Sequence, residues 1–319
     1  MNKLLINRCC LCAFLCLAFT AYGDGATPVA QDDAGQSAYG SGWVNGSNGG
    51  TGFGAWGFQT LTGTGNSSAG FYVATASDHP DLQGAAKDGK AFGLYANGVN
   101  FEVSSAFRAF SAPVAPGESV VVTWQTGVFL RKFDTDSDAM GSVGITLRSG
   151  TAGGAVDDYN KGARFEFGIY EGMPNYQIYD GQDDHDTGVA FSPGGVRVKI
   201  TLTSADTYDL EVTTLADHKV TTLKGRKLGG DAGGTLDSFC IFDRNWETND
   251  AYFDDFEVLP GTAPANSSPS AGTSSPAAPS SPSPTASPSV SPSSTEGLPP
   301  DSNSGPSSPN PEATPSAGN

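Results

Sequence analysis

Apolar and polar residues alternate with period two along much of the central chain. Five segments show this alternation over six to eight residues: 119–126, 142–147, 164–170, 196–203 and 208–213. Shorter apolar segments occur at 56–60, 70–74, 91–95, 175–179, 238–242 and 252–259, with Gly, Asn, Asp and Pro turn signals between them. Such alternation is typical of half-buried strands in antiparallel sheets. The pattern predicts an all-β fold, a two-sheet antiparallel sandwich of jelly-roll type.

The first 23 residues have the pattern of a secretory signal peptide. Lys3 and Arg8 give a positive start, an apolar run follows over 9–19, and Ala21 and Gly23 are small residues before a cut ahead of Asp24. The apolar run is short for a membrane span. We therefore expect a secreted or cell-surface protein exported by this signal, without membrane insertion.

The last segment, 261–319, has a different composition. It contains 14 Pro, no aromatic residue and no Lys or Arg. A segment of this kind buries too little apolar surface to offset its conformational entropy, and Pro keeps it extended. We predict a disordered Pro/Ser/Thr-rich tail that acts as a spacer.

The remaining segment, 24–260, is long enough for one domain with a full core. Of the 34 Asp and Glu residues and 17 Lys and Arg residues in the 319-residue chain, 31 and 15 lie in this segment. This acidic balance excludes a basic nucleic-acid binder and attraction to anionic lipid. It favours neutral polymers or cations as partners. Its one cysteine, Cys240, lies in an apolar run, which predicts a buried thiol.

Two stretches resemble a known group of proteins. Residues 39–56 (YGSGWVNGSNGGTGFGAW) and 90–97 (KAFGLYAN) are similar to exported bacterial proteins of Verrucomicrobia-like type, whose domain looks like a concanavalin A-like or laminin-G-like sandwich. The closing segment 251–258 is similar to the last strand of many jelly-roll carbohydrate-binding modules. The group has largely unassigned functions, so the resemblance implies a scaffold and not a chemistry.

Glu166 and Glu171 are the weak candidates for catalysis. Laminarinase-type sandwich glycosidases resemble this stretch in a Glu-x-Asp-x-x-Glu pattern, but Gly168 stands at the middle position here. A glycosidase needs two carboxylates close together. Residues five apart in a plain strand point to opposite faces, so only a bulge would bring the pair together.

Calcium is the candidate cofactor. Asp134, Asp136 and Asp138 place alternate carboxylates in one loop, as hard cations require, although the spacing does not match an EF-hand. Jelly-roll carbohydrate-binding modules commonly hold a structural calcium with an Asp of the last strand, and the resemblance places Asp254 or Asp255 there. The alternative for all of these residues is solvated acidic loops.

Aromatic residues are the candidates for ligand binding, because a sugar face packs on an aromatic ring while polar neighbours bind its hydroxyls. Trp246 lies in a polar loop, and Tyr170, Tyr176 and Tyr179 flank one turn. Core packing is the alternative for each. The apolar neighbours of Trp124 assign that residue to the core.

Three functions are compatible with these features. The first is an exported, non-catalytic sandwich that binds polysaccharide, a cell-surface glycan or another extracellular polymer. The second is a glycoside hydrolase or polysaccharide lyase on the same sandwich. The third is a structural envelope or matrix protein. The sequence contains no nucleophile elbow and no phosphate loop, so we favour the first function.

Overall fold

A computed structural model of the protein describes residues 27–63, 67–82, 84–86, 88–98, 102–127, 141–150, 162–244 and 250–261. The predicted signal peptide lies outside these ranges, as does the predicted tail beyond its first residue. Fifteen strands lie within the described ranges: β1 (Ala30–Asp32), β2 (Gly57–Leu61), β3 (Ser68–Thr75), β4 (Lys90–Asn97), β5 (Val103–Ala109), β6 (Ser119–Thr126), β7 (Ser142–Arg148), β8 (Ala163–Tyr170), β9 (Asn175–Tyr179), β10 (Asp186–Ala190), β11 (Val196–Ser204), β12 (Thr207–Thr214), β13 (Val220–Lys227), β14 (Ser238–Arg244) and β15 (Ala251–Leu259). One turn of 3-10 helix spans Ser37–Tyr39. In this part of the chain no helix is long and apolar enough to cross a membrane.

The strands form two antiparallel sheets. One has eight strands in the order β13-β12-β11-β6-β15-β4-β3, with β1 paired to β15, and the other has seven in the order β10-β9-β8-β7-β14-β5-β2. The inward rows of both sheets meet in one large core. The predicted all-β, two-sheet antiparallel jelly-roll sandwich is therefore confirmed.

Strand register explains how the alternating pattern becomes a core. Val198 on β11 stands opposite Val122 on β6, so the apolar rows of the two strands coincide on the inner face. Trp124 continues this row, is fully buried, and stacks on Phe253 at 5.6 Å between ring centroids. The assignment of Trp124 to the core is confirmed.

Four strands had no signal in the alternation pattern: β1, β5, β10 and β13. The strand β5 carries Arg108 and Ser104 at fully buried positions, so its polar residues conceal a central strand. The strands β1 and β10 are short, and β10 and β13 lie at the edges of their sheets. An edge strand is exposed to solvent along one side, which weakens the alternation of apolar and polar residues.

The glycine-rich stretch 39–56 wraps around a buried charged group that we call the Arg108 cluster: Asp32, Tyr39, Trp56 and Arg108. Every nitrogen of the Arg108 guanidinium has a protein acceptor. Nε donates to the Gly54 carbonyl at 2.7 Å, and one terminal nitrogen donates to the Gly49 carbonyl at 2.6 Å. The other terminal nitrogen donates to the Asp32 carboxylate. The cluster thereby fastens β1 and the stretch after it onto β5.

Aromatic rings close the Arg108 cluster. The guanidinium carbon lies 4.9 Å from the Trp56 ring centroid, and the indole nitrogen of Trp56 donates to the Tyr39 hydroxyl at 3.1 Å. The Tyr39 hydroxyl in turn donates to Asp32. Burial raises the pKa of Asp32, and the attraction of Arg108 offsets only part of that shift.

Glycine is required where this stretch approaches β1. Gly50 has a φ of +69°, and a Cβ atom there would overlap the carbonyl oxygen of Gln31. Gly49 lies against the Tyr39 ring, which a Cβ atom would approach to 2.6 Å. Gly49 and Gly50 therefore allow the close packing of this stretch on Tyr39 and β1.

Cys240 is fully buried on the outer face of the seven-stranded sheet, in a small cluster with Phe107 and Phe242. Burial raises the pKa of its thiol. The prediction of a buried thiol is confirmed.

Candidate functional site

The strand β8 divides its side chains between the core and the outer face of the seven-stranded sheet. Phe165 and Phe167 point into the core, so Glu166 and Tyr170 point outward from the sheet. The register of β8 with β9 sets Glu166 opposite Tyr179. Residues that stand opposite one another in paired strands share a face. Tyr179 of β9 therefore lies beside Glu166, and Tyr170 follows Glu166 on the same face of β8.

These residues line a cavity of about 390 Å³, which we call the Tyr179 pocket. Its walls come from β8, from the end of β9 and from the turn after β13. The lining residues are Ala163, Arg164, Glu166, Tyr170, Tyr179, Asp180, Gly229 and Gly230. The volume lies within the range of small-molecule sites in proteins.

Tyr179 is the most exposed aromatic residue of the pocket. Its side chain is 39% exposed, whereas Tyr170 is 9% exposed. The two rings meet edge to face with 5.1 Å between their centroids, and 4.6 Å separates the centroids of the His185 and Tyr179 rings. Tyr170 and His185 thus hold the Tyr179 ring in place and leave part of its surface accessible.

Glu166 is a buried carboxyl group at the pocket wall. The Tyr170 hydroxyl donates a hydrogen bond to it. Burial raises the pKa of Glu166 above its ordinary value, while the bond from Tyr170 and the charge of Arg244 oppose that shift. Burial and the charge of Glu166 likewise raise the pKa of Tyr179.

Arg164 supports the wall on the β13 side. Its Nε donates to the Gly229 carbonyl at 3.0 Å, and a terminal nitrogen donates to the Asp206 carboxylate at 2.6 Å. The Arg164 carbonyl accepts a hydrogen bond from the Gly229 amide at 2.7 Å. This arginine, which is 2% exposed, therefore positions the turn that contains Gly229 and Gly230.

Asp180 is already bound by protein partners. Its two carboxylate oxygens accept from Arg226 at 2.8 and 3.0 Å, and the Tyr208 hydroxyl donates to it at 2.5 Å. The hydrogen bond and charge of Asp180 raise the pKa of Arg226. Asp180 therefore has a structural role, and its negative charge compensates the positive charge of Arg226.

The structure brings together some of the predicted site residues. Glu166, Tyr170 and Tyr179 line the same pocket. Tyr176 does not join them, because it points into the core, is 1% exposed and stacks on Phe167. Its predicted role in ligand binding is corrected to core packing. Trp246 lies outside the described residues.

Glu171 is also separate from Glu166. It follows the end of β8, where its amide donates to the Gly141 carbonyl at 2.8 Å and its carboxylate accepts from the Gly141 amide at 3.2 Å. Five residues of strand separate the two Cα atoms by about 16 Å. The structure therefore places Glu171 beside Gly141 and not among the lining residues of the Tyr179 pocket.

The structure places Asp254 and Asp255, the candidate calcium ligands of β15, at an irregular point of that strand. Asp254 is fully buried and accepts the Ala34 amide at 2.9 Å, and Asp255 adopts a positive φ of +55°. The register of β15 with β6 shifts at this point, which identifies a β-bulge. The described residues contain no group of three or more His, Cys, Asp or Glu side chains that could hold a metal. Asp134, Asp136 and Asp138 lie outside those residues, so calcium binding there stays a prediction.

Sequence reasoning missed the residues that complete the pocket, Arg164 and Asp180 together with Gly229 and Gly230. The alternation in β8 placed Arg164 on the same face as Glu166, which was an available signal. Nothing local linked Gly229 to β8, because more than sixty residues separate them.

Comparisons with known proteins found similarity at the level of structure. No protein-family model matches the chain, and no curated protein matches it. Among solved structures, the chain is similar to the carbohydrate recognition domain of Emp46p in its potassium-bound form (10% identity, 65% of this chain and 89% of that chain, TM-score 0.34). It is similar to the VIP36 exoplasmic/lumenal domain bound to Ca²⁺ and Man3GlcNAc (9% identity, 66% and 87%, TM-score 0.36). It is also similar to a carbohydrate esterase from the Shiga toxin-encoding bacteriophage phi24B (13% identity, 75% and 100%, TM-score 0.38). Similarities of this size carry no information about what the present chain binds.

Proposed function

We propose that the protein is an exported, non-catalytic glycan-binding β-sandwich and that the Tyr179 pocket is its binding site. The observation that supports this proposal is the accessible Tyr179 ring beside the buried carboxyl group of Glu166. A sugar presents an apolar face of C–H groups and a rim of hydroxyls. The apolar face can pack on the Tyr179 ring, and the hydroxyls can form hydrogen bonds with the Glu166 carboxyl group.

The charges of the pocket favour a ligand without phosphate groups. Arg164 donates to Asp206, and Arg226 donates to Asp180, so each of these arginines has a carboxylate partner. Glu166 adds a further acidic group to the wall. A phosphate ligand needs an excess of positive donors, whereas hydroxyl groups bind well to carboxylate acceptors.

The partners of the carboxylates favour binding without catalysis. Hydrolysis of a glycosidic bond by the usual mechanism needs a general acid and a second carboxylate that acts as nucleophile or base. Glu166, with its raised pKa, resembles a general acid. The other carboxylate of the lining, Asp180, is bound by Arg226 and Tyr208.

The proposal is tested by glycan-array and polysaccharide pull-down experiments on the exported protein, with and without calcium. We expect binding to a defined class of glycan, and Tyr179→Ala should weaken it about tenfold or more, which is 1.4 kcal/mol or more of binding free energy. The matched control is Tyr95→Ala, because Tyr95 is a half-buried tyrosine on β4 in the other sheet. The proposal fails if no glycan binds under either condition, or if the two variants weaken binding equally.

Catalysis is tested separately with the same glycans. The protein is incubated with each bound polysaccharide, and new reducing ends and unsaturated products are measured. We expect none. Product formation that disappears in Glu166→Gln would establish a hydrolase or lyase and overturn the non-catalytic part of the proposal.

A further inference from the structure

The two edge strands β10 and β13 lie on the same side of the sandwich, one at the edge of each sheet. Arg226 on β13 joins them at one end, where it donates to the Asp184 carbonyl just before β10 at 2.7 Å. At the other end, Val189 and Ala190 of β10 line one cavity together with Thr221 of β13. We call the line between these strands the β10–β13 seam.

The cavity at that second end has a volume of about 300 Å³, and we call it the Phe191 pocket. Its lining residues are Val189, Ala190, Phe191, Ser192, Pro193, Thr214, Ala216, Asp217, Lys219 and Thr221. Phe191 is half-buried and its ring lies 5.8 Å from that of Tyr176, so the core holds it in place. The pocket thus combines a fixed aromatic ring with hydroxyl groups and a lysine.

The turn that forms one wall of the Phe191 pocket is held by local hydrogen bonds. The Thr214 amide donates to the Lys219 carbonyl at 3.0 Å, and the His218 amide donates to the Thr214 carbonyl at 2.9 Å. The Thr214 hydroxyl donates to Asp217, and this bond is the main cause of the lowered pKa of that carboxyl group. The wall is therefore formed before any ligand binds.

The strand β13 connects the two pockets. Thr221 lines the Phe191 pocket and Gly229 lines the Tyr179 pocket. Eight residues of extended chain between them span about 25 Å. A single sugar unit occupies only one of these pockets, whereas a glycan chain of several units reaches both.

The seam between the pockets offers polar groups along its length. Both strands are the last of their sheets, so their outer backbone N–H and C=O groups have no neighbouring strand among the described residues. Thr221 of β13 is half-buried, and Lys224 and Lys227 of the same strand are exposed. Backbone groups, hydroxyls and lysines are suitable partners for the hydroxyl groups of a sugar chain.

We infer that the protein binds an extended glycan chain along the β10–β13 seam, with the Phe191 pocket as a second sugar subsite. This inference rests on the proposed function of the Tyr179 pocket. It adds that the ligand is a polymer recognised along its length and not at a terminal sugar alone.

The test measures affinity against chain length. Isothermal titration of the full-length exported protein uses cello-, laminari-, manno- and xylo-oligosaccharides, each from the disaccharide to the octasaccharide. In the series that binds, we expect the octasaccharide to bind at least tenfold more tightly than the disaccharide. Ala216→Trp, which fills the Phe191 pocket from an exposed turn, should remove this gain and leave disaccharide affinity unchanged.

Controls separate the two proposals. Val44→Trp places the same bulky residue at a 60% exposed position next to β2 and should retain the full gain. Lys219→Glu reverses a charge in the Phe191 pocket without adding bulk, and it should also reduce the gain. It serves as the second variant in case Ala216→Trp folds poorly. Two outcomes would contradict glycan binding along the β10–β13 seam: an affinity that does not change with chain length, or a gain that both variants retain. Either outcome leaves the proposed role of the Tyr179 pocket unaffected. Absence of binding at every length in all four series overturns the seam, and absence of binding on the glycan array as well overturns both proposals.

Discussion

The Arg108 cluster and the Tyr179 pocket contain the same kinds of residue and differ in exposure. Each combines a buried arginine, a carboxylate, aromatic rings and glycines. In the Arg108 cluster the rings of Tyr39 and Trp56 are 3% and 1% exposed, whereas Tyr179 is 39% exposed in its pocket. Composition alone does not distinguish the Arg108 cluster from the proposed binding site. Our distinction between them rests on the accessible ring of Tyr179.

The energetic consequences of this difference are opposite. A closed cluster contributes to folding, because the removal of one partner leaves a buried charge without compensation. An accessible pocket contributes little to folding, because its exposed groups are solvated in both states. Substitutions in the two regions should therefore affect different measurements.

The largest effect is expected for Arg108→Met. Loss of the guanidinium leaves the Asp32 carboxylate buried without its cation, which should lower the free energy of unfolding by about 3–5 kcal/mol. Urea denaturation followed by tryptophan fluorescence measures this change. The double variant with Asp32→Leu should recover part of the loss, since it removes both charges. A single variant as stable as the parent protein would show that the ion pair is not essential to the cluster.

A smaller loss is expected for Gly50→Ala. The backbone at Gly50 has a positive φ, and a Cβ atom there would overlap the Gln31 carbonyl. Strain at such a position costs about 1–3 kcal/mol, and the overlap adds to it. Gly42→Ala is the matched control, because Gly42 has a φ of +114° with nothing within 4 Å of the added atom. Equal losses of unfolding free energy in the two variants would contradict close packing of the stretch on β1.

A change in pH dependence, and not in fold, is expected for Glu166→Gln. The folded-state pKa of Glu166 lies above its ordinary value of 4.5, so the folded protein holds this proton more tightly than the unfolded chain. The stability from this group is fully present below that ordinary value and is lost as the pH rises through the raised folded pKa. Asp32, whose pKa is also raised, contributes with the same sign.

Urea denaturation at a series of pH values measures this effect. The fall in stability with rising pH should be shallower in Glu166→Gln than in the parent protein, and the share due to Asp32 should remain. Asp206→Asn is the contrasting variant, because the pKa of Asp206 is lowered by hydrogen bonds from the Gly233 amide and from Arg164. Asp206→Asn should lose stability at pH values above the ordinary pKa of this group, and its difference from the parent protein should disappear as the pH falls through the lowered folded-state pKa. A parent-like profile for Glu166→Gln would show that Glu166 is not desolvated in the pocket.

The smallest effect on folding is expected for Tyr179→Ala, the variant that should most affect glycan binding. Part of the ring is exposed, and the variant loses the ring contacts with Tyr170 and His185, so the free energy of unfolding should fall by about 1 kcal/mol. Tyr176→Ala on the same strand is the comparison, because Tyr176 lies in the core and its loss creates a cavity. Thermal unfolding monitored by circular dichroism measures both. A large loss in Tyr179→Ala would classify the pocket with the Arg108 cluster as a structural element.

Much of the fold could be predicted because its strands carry their signal locally. The strand β6 has the bounds that the alternation predicts, and β11 extends the prediction by one residue. The strand β5 could not be predicted in this way, since Arg108 occupies a buried position whose partners, Asp32 and Gly54, come from distant parts of the chain. Local patterns do not contain the partners that make a buried polar residue acceptable.

The candidate site was predicted in part for the same reason. Alternation placed Glu166 and Tyr170 on one face of β8, and the candidate list included Tyr179. The faces of β9 were not assigned, so Tyr176 and Tyr179 could not be distinguished. Register with β8 decides this, because it sets Tyr179 opposite Glu166 and sends Tyr176 into the core.

The sequence by itself determined the fold class, the acidic character of the domain and the exclusion of a basic nucleic-acid binder, because period-two alternation and net charge are properties of the chain. Only the tertiary structure decided which aromatic residues are accessible and which carboxylates already have partners. It also placed the edges of the two sheets side by side, with a pocket at each end of the β10–β13 seam. These features depend on pairings between residues far apart in the chain, and no local pattern records them.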